Sequence, residues 1–153
     1  MSETNLIGHL NSALSLELTG MIQYSQHSFL VTGTEREVYR GFFREQADEA
    51  REHALFLGDK IVALGGLPTV EPAMIRQTVE LKEMLVQALR LERDAFAAYV
   101  EAWKSCGEED LATKFWLEEQ IAAEQLHIEE LEKLTSQRTA SVNNEQIVLK
   151  EAV

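Results

Sequence analysis

The chain has 153 residues, 45% of them hydrophobic, which suits one domain with a real core. Its 26 acidic and 14 basic residues give a formal net charge of −12, which argues against nucleic acid or an anionic membrane as partner and suits attraction of cations. A single cysteine, Cys106, excludes a disulfide framework, and the opening MSETNLIGHL lacks the basic and apolar segments of a secretory signal, so a reducing cytoplasm is the expected setting.

Only two prolines and eight glycines interrupt a composition dominated by strong helix formers, so the expected fold class is all-α. The first helix is expected over residues 4–31, with Thr4 as a candidate N-cap. Its inward stripe reads Leu6, Leu10, Leu14, Glu17, Met21 and Tyr24, at the three- and four-residue steps of a buried helix face. Glu17 therefore occupies a core position. Gly33 suits the helix end, and Thr34 stands three residues before Glu37, the spacing of a capping box. So short a link predicts an antiparallel neighbour.

The second helix is expected over residues 35–64, with Tyr39, Phe42, Phe43, Leu57, Ile61 and Leu64 inward. Between its aromatic and aliphatic halves the stripe passes through Gln46, Ala50 and His53, with Glu49 at its margin. Gly65, Gly66 and Pro68 end it. Residues 67–78 then form the longest connection, a crossover that makes the second and third helices parallel. The third helix, residues 79–105, carries Leu81, Leu85, Ala88, Glu92, Ala95 and Tyr99 on one stripe. The fourth, from about residue 108 to 136, carries Leu117, Ile121, Glu124, Ile128, Leu131 and Leu134, with His127 beside Glu124. Residues 1–136 thus read as one antiparallel four-helix bundle, and residues 137–153 as a tail, flexible or docked on a partner subunit.

An ionised carboxylate removed from water costs several kcal/mol unless a cation accompanies it. Here the anomaly repeats: Glu17, Glu92, Glu124, His53 and His127 interrupt apolar stripes on four helices. Glu17 precedes Tyr24 by seven residues as Glu92 precedes Tyr99, so two helical hairpins share one plan. A Glu from each of two helices with a Glu and a His from each of the others is the ligand pattern of dinuclear carboxylate bundles, in which oxygen ligands and one imidazole per ion suit iron or manganese.

These landmarks resemble the bacterioferritin and ferritin family over residues 5–135. Leu16-Glu17-Leu18, Gln23-Tyr24 and His27 resemble its first helix, and Phe42 to Gln46 with Arg51 to Ala54 its second. Gly66-Leu67-Pro68, Glu83 to Leu85, Leu91-Glu92 and Glu124 to Glu130 resemble its later landmarks. The resemblance implies a ferritin-like fold, terminal ligands at Glu17 and Glu92, a bridging ligand at Glu124 and imidazole ligands at His53 and His127. It implies Fe(II) oxidation by oxygen or peroxide at a site of two irons per chain, with manganese or zinc as other metals, for iron storage or detoxification. Catalysis would rest on Glu17, Glu92 and Glu124.

The sequence departs from the family at Ala50, where a second bridging Glu belongs. Glu49 is the candidate replacement: four residues before His53 it lies about 40° round the helix from it, against about 60° on the other side for position 50. Turned inward, through a local π-bulge, it would be the sixth metal ligand and bring the carboxylate charge level with two divalent ions. Arg51 stands where haem-binding members carry Met, so haem is not expected, and the tail lacks an amphipathic fifth helix, so a homodimer is expected ahead of a large shell. Two alternatives stand beside this reading. One is a peroxide-reducing protein resembling rubrerythrin, against which Ala95 replaces a further Glu and the cysteine set is missing. The other is a metal-depleted structural bundle. Tyr24 and Tyr99 are expected as packing residues, Trp103 and Trp116 as core or interface aromatics, His27 as a hydrogen-bond donor near the site, and His9 at the surface or an interface.

Overall fold

The computed structural model describes residues 2–135, with side chains from Asn5 onward. Four helices account for its regular structure: α1 (Ser2–Leu30), α2 (Arg36–Ala63), α3 (Leu81–Ser105) and α4 (Leu111–Thr135). The all-α bundle with its long connection between α2 and α3 is as the sequence predicts. The tail expected at 137–153 lies outside the described residues. No described helix is long and apolar enough to cross a membrane.

Two expected caps are not used. Helix α1 begins ahead of Thr4, and Glu35 rather than Thr34 precedes α2, without a side-chain cap. The link is closed from the other side instead: Arg36 Nη1 donates to the carbonyls of Val31 at 2.5 Å and of Ser28 and Phe29 at 3.3 Å, satisfying acceptors left free at the end of α1. Helix α2 ends in a Schellman motif. Gly65, at φ +84°, donates to Val62 O and Gly66 to Ile61 O, both at 2.9 Å. Asp110 caps α4 by accepting from the Thr113 amide at 3.3 Å.

The 17 residues between α2 and α3 run along α1 and are fixed to it by a polar stripe at four-residue steps. Asn11 accepts from the Thr69 amide at 2.8 Å and donates to Leu67 O at 3.1 Å. Ser15 donates to Glu71 O at 2.9 Å, Thr19 to Ala73 O at 2.9 Å, and Gln23 accepts from the Arg76 amide at 2.9 Å. This segment carries the chain the length of the bundle, so α2 and α3 run parallel.

Helices α1 and α2, α3 and α4, and α1 and α3 pack directly. Helix α2 meets α4 through long side chains, as where Phe56 stacks on Trp116 with centroids 3.9 Å apart. Two apolar clusters fill the interior. One gathers Leu10, Leu57, Ile61 and Leu117 at one end; the other gathers Phe43, Met84, Leu89 and Leu131 at the opposite end. Leu134, expected inward, is 41% exposed because the core closes at Leu131. Between the two clusters lies a belt of buried Glu and His side chains.

Candidate metal centre

Each seam carboxylate comes to the belt at the phase its helix predicts. Glu17, Glu92 and Glu124 are 6%, 6% and 2% exposed. Two triads form around them: Glu17, His53 and Glu124, and Glu92, Glu124 and His127, each offering ligand atoms within 4.8 Å of one another. Glu124 belongs to both; it is the residue for which the family resemblance implies a bridging role.

His53 Nδ1 lies 3.2 Å from Glu17 Oε1, which also accepts from Tyr99 Oη at 2.5 Å. Tyr24 Oη donates to Glu92 Oε1. The two tyrosines expected as packing residues are buried and in contact with Glu92 and Glu17, each reaching from its own helix to the Glu of the other. His127 Nδ1 faces Glu124 Oε2 at 3.7 Å and Glu92 Oε2 at 3.9 Å, while Nε2 meets Glu49 Oε2 at 3.3 Å.

Glu49 thus lies in neither triad and touches the ring edge of His127 turned away from them. Helix α2 is α-helical from Arg36 to Ala63, without the π-bulge expected to turn Glu49 inward. Ala50 is buried and offers the site a methyl group. His27 does not reach the carboxylates; its Nε2 lies 3.3 Å from Gln87 Oε1. Trp103 Nε1 donates to Glu118 at 3.0 Å, and Trp116 packs between Phe56 and the edge of Tyr99, the latter with centroids 5.9 Å apart.

Burial pushes the Glu17 carboxyl up, opposed by its bonds to His53 and Tyr99. Burial and the Glu92 charge push Glu124 up to about 10, whereas Glu92, equally buried, is held low by contacts with Glu124, His127 and Tyr24. The two carboxyls share one proton and it resides on Glu124. His127 is pushed up to about 12 by Glu124, Glu49 and Glu92. Burial disfavours the charged form of His53, but the Glu17 carboxylate overcomes it and leaves the pKa raised. The cluster on its own therefore holds its charge with protons on Glu124 and His127.

The donor set fits a pair of hard divalent ions. Glu124 Oε2 and His127 Nδ1 are buried and make no hydrogen bond, and they stand 3.7 Å apart within one triad, a separation that leaves both free to ligate. A cavity of about 20 Å³ is lined by both triads, Ala50, Gln46 and Glu49.

A family model for the ferritin-like domain matches residues 7–139. A bacterioferritin from Brucella melitensis is 36% identical over 134 residues, 85% of this chain and 82% of that protein. A ferritin-like, di-iron carboxylate protein from Bacillus anthracis has a similar structure, with TM-score 0.85 and 32% identity over 88% of this chain and 98% of that one. A dodecameric thioferritin from Bacteroides fragilis, described as bacterioferritin-related, superposes with TM-score 0.79 and 27% identity, covering 88% of this chain and 86% of that one.

Proposed function

As the chain belongs to the ferritin-like family, we propose that it binds two iron ions between its four helices and oxidises Fe(II) there with oxygen or peroxide, for iron storage or detoxification. The observation that carries this reading is Glu124, a carboxyl 2% exposed, shared by two triads and with Oε2 unpartnered. A group so costly to ionise in a core has a purpose when two cations flank it.

Glu17, His53 and Glu124 would hold one ion, and Glu92, Glu124 and His127 the other. Bound iron supplies the electrons that reduce the oxidant. The chain's own residues prepare the site. Tyr99 and Tyr24 each occupy one carboxylate oxygen of Glu17 and Glu92 and so fix the direction of the other. Glu49 accepts from His127 Nε2, which leaves the Nδ1 lone pair for metal. In this reading Glu49 is a positioning residue rather than the substitute bridge. The longer approach between α2 and α4 leaves a way in beside Glu49. Assembly beyond the expected homodimer belongs to the same reading, supported by the dodecameric Bacteroides fragilis relative.

The test is aerobic oxidation of Fe(II), followed by ferric absorbance. A fast saturable phase in the natural chain, absent in Glu124→Ala, is expected. Oxidation no faster than in protein-free buffer would overturn the reading.

A further inference from the structure

Ala50 lies three residues before His53 on α2, and its Cβ lines the same cavity as Glu17, Glu92 and Glu124. Opposite it stands Gly20, so close that a methyl group there would come within 3.1 Å of Ala50 Cβ. No carboxylate reaches the cavity from this position of α2. The nearest, Glu49, lines the cavity at its margin and is engaged by His127 Nε2.

Charge makes the gap consequential. Glu17, Glu92 and Glu124 offer three negative charges to two divalent ions, and the imidazoles bind as neutral donors. The ligand set is thus one carboxylate short, and the fourth negative charge, on Glu49, stands outside it against His127 Nε2, at the margin of a site whose other carboxylates are nearly all buried. The unpartnered Glu124 Oε2, itself 2% exposed, faces the same space. That space meets solvent beside Glu49, whose side chain is 35% exposed.

We infer that the site takes a small monocarboxylate from solution as its missing bridge, and that metal loading of this protein depends on that anion. This rests on the dinuclear reading above. The class follows from the missing atoms: Glu differs from Ala by a CH2 and a carboxylate, which is the skeleton of acetate. A planar two-oxygen monoanion supplies the charge and both bridging oxygens. A neutral molecule or an ammonium group does neither.

Zinc binding of the full chain, by equilibrium dialysis and elemental analysis, tests this in acetate and in chloride at equal ionic strength and pH. Acetate should tighten binding of the second zinc by about tenfold or more in the natural chain and leave Ala50→Glu unchanged, since there the bridge is covalent. The control also cancels zinc complexed by acetate in solution. Two zincs per chain with the same affinity in both anions would overturn the inference and leave the dinuclear reading standing. Absence of zinc from both proteins would overturn the two together. If Ala50→Glu does not fold, the 13C resonance of labelled acetate decides: it should broaden or shift with the zinc-loaded natural chain and not with the metal-free chain. An unaltered line overturns the inference.

Discussion

Tyr99 on α3 donates to Glu17 on α1 at 2.5 Å, and Tyr24 on α1 returns the same contact to Glu92 on α3. The exchange ties together the two helices that carry Glu17 and Glu92. Tyr99→Phe removes a buried donor while keeping the ring, and should weaken metal binding about 10- to 100-fold with the fold intact. Zinc affinity and helical circular dichroism on the same sample check this. Unchanged affinity would make Tyr99 a packing residue only.

Glu124 costs the metal-free protein stability. Glu124→Gln keeps the shape and removes the ionisable group, so the metal-free variant should be about as stable as the natural chain or more so, by up to ~3 kcal/mol at neutral pH. It should also lose binding of both ions, because Glu124 belongs to both triads. Urea unfolding and metal content, read together, separate this from a purely structural role, in which the variant would be destabilised.

Protonation sets the direction of the pH dependence. Glu124 rises from 4.5 to about 10 and His127 from 6.5 to about 12, and Glu17 and His53 are also raised. Each contributes stability that is full below its unfolded value and is lost as pH climbs toward its folded value. Glu49 and Glu92, held low, act in the opposite sense but only near and below pH 4.5. The thermal midpoint of the metal-free chain should therefore fall from about pH 5 to about pH 9. A rising midpoint over that range would contradict the proton assignment.

Metal must displace those protons. Glu124 and His127 each give one up on binding, so loading with zinc near pH 7 should release at least about two protons per chain. Titration in weakly buffered solution with a pH indicator measures the number. Release near zero would show that the two groups are already deprotonated.

The four helices and the burial of Glu17, Glu92 and Glu124 were legible in the sequence because a carboxylate at a core phase has few structural explanations. The repeat of Glu and Tyr at seven residues was legible too, but not its meaning. Only packing shows that each tyrosine crosses to the other helix's carboxylate. The stripe of Asn11, Ser15, Thr19 and Gln23 went unread, since polar residues at four-residue spacing look like a solvated face until a connection lies on them. The direction of Glu49 was beyond sequence reasoning for a similar reason. Its angle on α2 allows an inward turn, and His127 on another helix draws it outward. Thr34 had the spacing of a cap, but Arg36 satisfies the helix end first.

Metal content after anaerobic Fe(II) loading and desalting tests the central claim most directly. The account predicts two irons per chain in the natural protein and none retained by Glu124→Ala. One iron or none in the natural protein, or two in the variant, would contradict it.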